Sequence, residues 1–390
     1  MLATVFEIAM RRLRHNRVEL LLTFVVPIVF FSIFALIFSR GVGSTPRVKT
    51  WVFDRDRSEL SAKLVASLEA VDGLRVTVPA IGEGEDAAAW AESAVLRGQT
   101  AAAVLIPAGF ADAIQSGRRP PPTPVLIDSS NPVAEPVVSS LLLQAISQTI
   151  QTNAAAAVQP IRIDGTPEPA ATEEPSDLIA TRDIVGEGKD NAVVASYASG
   201  IAVLFLLFSA AGAGGSLLEE QESGTLERLL SSRLSMPQLL LGKWVYIVAL
   251  GVLQVTAMFA WGQAVFGVDL MGHLPGFAAM TLVTSAAAAS FALVLATVCR
   301  SRTQLSGVST IIILSMSALG GSMVPRYLMS ESMQRWGLVT FNAWALDGYN
   351  NVFWRDMGVA ELQPQLLVLT CAALAMMILA RVFARRWECG

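Results

Sequence analysis

Charge is what this chain of 390 residues lacks. Only 15% of it is Asp, Glu, Lys or Arg, against about 25% in an ordinary soluble domain. Histidine is nearly absent too, with His15 and His273 far apart. The three cysteines, Cys299, Cys371 and Cys389, form no C-x-x-C pair, and none lies between 45 and 190. A dedicated zinc site and an internal disulfide frame are therefore not expected. No G-x-x-x-x-G-K-[ST] occurs: Gly242-Lys243 is followed by Trp244 and lacks the upstream glycine. Gly212, Gly214 and Gly215 do not follow a strand, so they are no dinucleotide loop. With so few histidines and cysteines, no nucleophile–base–orienter set can be assembled. A catalytic reading is excluded, and nothing points to nucleic acid.

What is present is apolar: 53% of the residues, with a mean hydropathy of +0.53. These residues cluster in runs long enough to cross a hydrocarbon core of about 30 Å, which takes roughly 20 helical residues. Six such runs are expected to span: Glu19–Ser39, Ala192–Leu218, Trp244–Val268, Pro275–Cys299, Leu305–Pro325 and Gln363–Phe383. No small-x-small cleavage site follows the first run closely, so it reads as a retained anchor. Basic residues orient the set. With the N-terminus inside, Arg11, Arg12, Arg14, Arg17, Arg228, Arg233, Lys243, Arg300, Arg302, Arg381, Arg385 and Arg386 are cytoplasmic, and only Arg40, Arg326, Arg335 and Arg355 lie in short outer segments. Both termini are then expected in the cytoplasm.

The fold class that follows is an α-helical polytopic membrane protein of six transmembrane helices, with an α/β extracytoplasmic domain between the first two. Residues 1–17 form an amphipathic interfacial lead-in, and 18–39 the first span. Residues 45–190 carry 12 basic and 20 acidic side chains, a charge of −8. Strands are expected at Val48–Phe53, Leu74–Val78, Ala102–Ile106 and Val125–Ile127. Helices are expected at Ser58–Ala70, Asp86–Leu96 and Val133–Ala156. The acidic, proline-containing stretch 157–190 reads as a flexible linker. Residues 192–390 hold the other five spans. Between the last two, 326–363 is an outer re-entrant segment with Trp336, Phe341, Trp344, Tyr349, Phe353 and Trp354, and one or two short helices.

Ionisable residues are almost absent from within the runs. Buried charge is costly and marks ion pathways, so a proton- or sodium-coupled carrier is disfavoured. Tyr197, Ser199, Gln254, Gln263, Thr281, Ser285, Ser290 and Ser317 are the polar residues inside. They suit either the path of an amphiphile or hydrogen bonds between helices.

The charged stretch Glu219–Lys243 lies between the second and third runs. Gly224-Thr225 is expected to break the span helix, with Thr225 as cap and Glu227 in the first turn. Leu226, Leu229 and Leu230 turn inward, Arg228 and Arg233 outward, and Pro237 ends the helix. It reads either as a solvated loop helix or as a knob that docks on a partner.

The run E-x-E-x-G-T-L-E-x-L-L (Glu220–Leu230), followed by Ser235 and Leu241-Gly242-Lys243, resembles the signature of permease subunits of type-2 ATP-binding-cassette exporters. Gly320-Gly321-Ser322-Met323-Val324-Pro325 and Phe341-Asn342-Ala343-Trp344-Ala345-Leu346 are similar as well, as are Phe53-Asp54 and Val104-Leu105-Ile106-Pro107. One departure is Arg233, where the family usually has proline. The resemblance covers nearly the whole chain and implies six spans and pairing with a second permease, identical or related. It further implies separate ATPase subunits that bind ATP and Mg, this chain holding no cofactor of its own. The interfacial helix and the 219–237 coupling helix would touch the ATPase, through Glu219, Glu220, Glu222, Gly224, Thr225, Glu227 and Arg228. Gly212, Gly214 and Gly215 would serve as hinge or close-packing points. Gly320, Gly321 and Pro325 would form an outer gate, with a plain loop turn the alternative for the two glycines, and the second and fifth spans would line the pathway. The branch with a large outer domain moves drugs, lipids or lipid-like amphiphiles outward across the cytoplasmic membrane. Membrane lipid and a periplasmic adaptor are further candidate partners. A membrane-anchored interaction protein, whose outer domain captures a partner without transport, is the alternative.

Overall fold

The computed structural model describes residues 47–71, 73–79, 86–157, 178–186, 192–231, 235–329 and 331–387, together with Phe24 and Ile28. The interfacial lead-in and the first run, these two residues excepted, lie outside the described residues, as does Arg233. The chain divides into two compact units, Gly41–Asp190 and Met1–Arg40 with Asn191–Gly390.

The first unit is a five-stranded sheet with helices on both faces. Its elements are β1 (Val48–Asp54), α1 (Glu59–Ala70), β2 (Leu74–Thr77), α2 (Ala87–Leu96), β3 (Ala102–Ile106), α3 (Phe110–Gln115), β4 (Thr123–Ile127), α4 (Ala134–Ala157) and β5 (Ile179–Asp183). The strand order is β2-β1-β3-β4-β5, with β3–β4 antiparallel and the other pairs parallel. Alternation along β1 sends Val48 and Val52 to one face, where they meet Val104, Val125 and Ile127 from neighbouring strands and Leu64, Leu68, Phe110, Leu142 and Ile146 from the helices. Trp51 stacks on Trp90 of α2 at 5.3 Å, beside Phe53. Strand β5 corrects the linker expected at 157–190. The acids and prolines around it hide a five-residue β segment that pairs with β4, Val125 opposite Thr181. Asp183 closes its end by accepting from the amides of Val185 at 3.2 Å and Gly186 at 3.0 Å, and from the Ser129 hydroxyl.

The strand order reverses between β1 and β3, and open sheets of this kind take ligands at such a switch point, outside the carboxyl ends of the strands. Here the place is filled. Asp56 accepts from the amides of Gly109 at 2.7 Å, Phe110 at 3.0 Å and Ala111 at 3.1 Å, capping α3 from a distant loop. Burial alone would raise its carboxyl, but the Ser58 hydroxyl and these three amides outweigh it and hold it below the usual carboxylate range.

The second unit is helical. It comprises α5 (Ala192–Gly214), α6 (Ser216–Glu222), α7 (Thr225–Ser231), α8 (Met236–Phe266), α9 (Leu274–Val298), α10 (Arg302–Gly320), α11 (Glu331–Gly337), α12 (Phe341–Phe353) and α13 (Gln363–Ala384). Among the described residues, five of its helices are long and apolar enough to cross a membrane. Helix α9 is the hub, packing most extensively on α13, α5 and α8. Its small residues Ala287, Ala288, Ala289, Ala292 and Ala296 are fully buried and let neighbouring backbones approach. Phe24 and Ile28 pack against the same core. The segment 326–363 contains two helices, and α12 buries Phe341, Tyr349, Val352 and Phe353 in the bundle. Phe259 of α8 stacks on Tyr349 at 5.5 Å and on Phe353 at 4.8 Å.

Two span limits move. Helix α8 begins at Met236 rather than Trp244 and runs for 31 residues, about 46 Å at 1.5 Å per residue. Pro237 opens this helix instead of ending the previous one, because proline at a first turn forfeits no helical hydrogen bond. Ser235 precedes it, and the Gln238 side chain accepts from the Ser235 amide at 3.1 Å. Helix α10 stops at Gly320, and Gly321 caps it in the left-handed conformation, φ +97°.

Candidate functional site

The charged stretch forms an elbow at one end of the bundle. Helix α5 continues almost directly into α6 past a single turn residue, Gly215. Gly224 then bends the chain with φ +66°, a conformation a side chain would resist. Thr225 is the first residue of α7 rather than the cap before it, its hydroxyl 2.9 Å from that of Ser223. The break expected at Gly224-Thr225 is therefore the second of two.

Glu219 and Glu220 of α6 turn inward, while Glu222 is exposed. Glu220 Oε1 lies 2.5 Å from Lys243 Nζ, which also reaches Ser216 Oγ at 3.2 Å. The Lys243 side chain is only 8% exposed. Glu219 pairs with the Arg302 guanidinium, and Glu222 accepts from the Arg302 amide at 2.9 Å. One short helix thus grips α8 through Ser216 and Glu220, and α10 through Glu219 and Glu222. Leu217 and Leu218, both fully buried, fix it from below. On α7, Leu226 is buried while Thr225, Glu227 and Arg228 are exposed.

The three expected hinge glycines differ. A Cβ on Gly214 would lie 3.2 Å from the Ala292 carbonyl, and one on Gly215 would lie 3.3 Å from Leu305. Both are close-packing points. Gly212 has nothing within 4 Å.

At the opposite end, the turn after α10 packs against α5. A Cβ on Gly200 would sit 2.9 Å from the Ser322 carbonyl. A Cβ on Gly320 would meet Asn342 at 2.7 Å, and one on Gly321 would meet Arg326 Cγ at 2.5 Å. Arg326 pairs with Asp347, and Gln334 Nε2 donates to the Arg326 carbonyl at 2.8 Å. Pro325 precedes the short 3-10 turn Arg326–Leu328. Tyr197 and Tyr327 bring their hydroxyls within 3.5 Å. On the same side His273 Nε2 lies 2.7 Å from Asp356.

Three of the polar residues within the spans join helices, while the buried Ser285 hydroxyl has no hydrogen-bond partner among the described residues. Thr281 meets the Tyr349 hydroxyl at 3.1 Å, Ser290 accepts from Trp244 Nε1 at 2.9 Å, and Ser317 faces Asn342 Nδ2 at 3.4 Å. Gln254 is fully buried, and neither atom of its amide is bonded among the described residues. No cluster of three or more metal-ligating side chains occurs among the described residues. Sequence reasoning missed the partners of the acids, because Lys243 reads as the edge of a span and Arg302 lies 80 residues from Glu222.

These features fit a membrane transporter subunit. The chain is 26% identical over 158 residues to the inner membrane transport permease YhhJ of Escherichia coli (strain K12), and equally to that of Shigella flexneri. The match takes in 40% of this chain and 42% of each relative, so it spans less than half of their length. The family model described as ABC-2 family transporter protein matches residues 18–382, nearly the whole chain. With that match added to five apolar helices and a charged elbow, the chain belongs to the ABC-2 family of transporter proteins.

Proposed function

We propose that this chain is the transmembrane permease of an ATP-driven exporter of the cytoplasmic membrane. A separate ATPase holds ATP and Mg, and a second permease, identical or related, completes the conduit. The first run supplies a sixth span, both termini are cytoplasmic, and the α/β unit is extracytoplasmic. The observation that carries the reading is α7, a two-turn helix pinned by Leu226 with Thr225, Glu227 and Arg228 outward. A short, rigid, exposed helix at the end of a span suits a groove on a soluble partner. Since Glu220 and Glu219 are occupied by Lys243 and Arg302, the docking surface is narrowed to α7 and the exposed Glu222 beside it.

The face of α10 supports the second permease. Its exposed side carries Thr303, Ser306, Gly307, Thr310 and Ser315 interleaved with Ile311, Leu314 and Leu319. Helix α13 instead exposes Leu367, Leu374, Ile378 and Val382, as a lipid-facing helix does. Small and hydroxylated residues favour helix contact or a pathway over lipid. A shallow apolar groove of about 560 Å³ along α8, lined by Trp244, Val248, Val252 and Leu282, suits membrane lipid. The cargo is an amphiphile, a drug or a lipid-like molecule, which needs weakly polar walls and no fixed charge.

The test is co-purification from cells of the source organism. The wild-type chain is expected to retain an ATPase with a Walker motif. Glu227→Lys combined with Arg228→Glu is expected to release it while the permease stays folded. Unchanged recovery by the reversed variant would remove α7 as the docking surface.

A further inference from the structure

We propose that the neighbouring ends of α9 and α13 form a binding site for the headgroup of an anionic phospholipid. Arg300 and Arg385 are its ligands, and Arg386 is the positioning residue between them. Helix α13 runs into a short 3-10 turn, Arg385–Trp387. From that turn Arg386 donates to the Val298 carbonyl at 3.2 Å and to the Cys299 carbonyl at 2.5 Å. It thereby caps the end of α9, and its guanidinium lies 5.0 Å from the centre of the Trp387 ring. Arg300 is the next residue after Cys299 and acts on Arg386 as a neighbouring like charge. Arg385 adjoins it on the other side. A helix C-terminus carries only about half a negative charge, so three guanidinium groups meet far less than they need. Neither the Arg300 nor the Arg385 side chain has an acidic partner among the described residues. Glu219 and Glu222, which reach the start of α10, are taken by Arg302.

The surface beside this corner says what covers it. Leu374, Ile378, Val382 and Arg385 follow one another at intervals of four and three, so they share one face of α13. All four are exposed. The face is apolar and then ends in a cation. Val298, at the end of α9, adds another exposed apolar side chain. A matching ligand is negative at one end and apolar along the rest, as a phospholipid is. A free phosphate or an acidic protein surface would leave the apolar row uncovered. The planar fork of arginine suits phosphate oxygens, which it can hold through two parallel hydrogen bonds. An arginine that only anchors a helix end needs nothing more than water at its head. That reading gives no reason to gather Arg300 beside Arg386, where like charges repel. A phosphate between the exposed guanidinium groups turns the repulsion into a shared contact.

The experiment uses the full chain in detergent, with whatever co-purifies left on it. Phosphatidylglycerol and phosphatidylcholine of identical acyl chains compete for it, and native mass spectrometry counts each. The parent is expected to retain phosphatidylglycerol in preference, and an excess of inorganic phosphate is expected not to displace it. A basic residue at a membrane surface strengthens anionic-lipid binding about fivefold, so Arg300→Gln with Arg385→Gln should weaken retention about 30-fold. Arg118→Gln with Arg119→Gln removes the same charge from the exposed surface of the sheet unit and should leave retention unchanged. A phosphatidylglycerol with a diazirine near its headgroup should label residues 378–387 of the parent, which keeps the site testable if the double variant fails to fold. Equal retention of the two lipids, or of neither, would overturn the site. So would undiminished retention by Arg300→Gln with Arg385→Gln, an equal loss in the sheet-unit control, or labelling only elsewhere. Displacement by inorganic phosphate would make it a site for free anions and overturn it too. None of these results touches the transporter reading, which rests on other residues.

Discussion

Three glycines of the bundle allow backbone geometry to be weighed against packing within one molecule. Gly321 sits at φ +97°, and a Cβ there would meet Arg326 Cγ at 2.5 Å. An L-residue in the left-handed region costs about 1–2 kcal/mol. The clash is with the stem of a side chain whose guanidinium is tied to Asp347. Relieving it loosens a partly exposed ion pair, worth about 0.2–1 kcal/mol. Gly321→Ala should therefore cost roughly 1–3 kcal/mol when the two terms are added. Gly214 is helical and tight, with contacts of 3.2 and 3.3 Å to Ala292. The gain in helix propensity on going to alanine, about 1 kcal/mol, offsets the spreading of α5 from α9 and leaves a small net change. Gly212 is helical and open, so Gly212→Ala keeps the gain, up to about 1 kcal/mol.

The chain carries its own reporter. Cys299 is buried and Cys371 exposed, so replacing Cys371 and Cys389 by serine leaves one thiol that a fluorogenic maleimide reaches only on unfolding. A kcal/mol moves the midpoint of a unit of this size by about 2–4 °C. Gly321→Ala should then unfold roughly 2–12 °C below the parent, Gly214→Ala near it and Gly212→Ala at or above it. Equal midpoints for Gly321→Ala and the parent, or Gly212→Ala falling below Gly321→Ala, would refute the reasoning.

The sheet unit should respond to acid through Asp56. A carboxyl held below its ordinary value contributes stability that is present above the unfolded-state value, near 3.9, and is lost as pH falls through the folded one. Asp56→Asn is expected to lower the unit's stability at pH 7 by about 1 kcal/mol, as loss of a helix cap does, and by less at pH 3; an equal loss at both, followed by circular dichroism, would sink the assignment. Thr281→Val removes the 3.1 Å contact with Tyr349 and should cost about 0.6 kcal/mol in the same thiol assay; a loss of several kcal/mol would mean that the hydroxyls hold something more than each other.

The sequence reveals the spans because lipid imposes a one-dimensional rule: a helix must be apolar for its whole crossing. Pro275–Cys299 and Gln363–Phe383 differ from the observed helices by a residue or so for that reason. The rule loses force at the ends. Lys243 looks like a boundary, yet it sits inside α8 because Glu220 neutralises it. Strand β5 was hidden by the reverse effect: Ile179–Asp183 is short, and its pairing with β4 depends on a partner some fifty residues away. The signature around Glu220–Leu230 located the elbow, but not which way its acids point. That depends on Arg302 and Lys243, which come near only after the spans have packed.

The inward turn of those acids changes how docking should respond to salt. Taken from the sequence alone, Glu219, Glu220, Glu222 and Glu227 make an acidic knob, which would hold a basic groove mainly through long-range charge. Such attraction is screened beyond about 8 Å at physiological ionic strength and beyond about 3 Å at 1 M. In the folded chain two acids meet two cations, Glu220 with Lys243 and Glu219 with Arg302, and Glu222 accepts from the Arg302 amide. What α7 offers outward is one acid beside one base, Glu227 and Arg228, on a helix seated by Leu226. A surface of that kind binds by fit and burial, and its charges set register more than strength. The complex with the ATPase is thus expected to survive purification at 1 M NaCl with little loss. Stripping of the ATPase by salt alone, with the permease still folded by the thiol assay, would show that the acids face the partner after all.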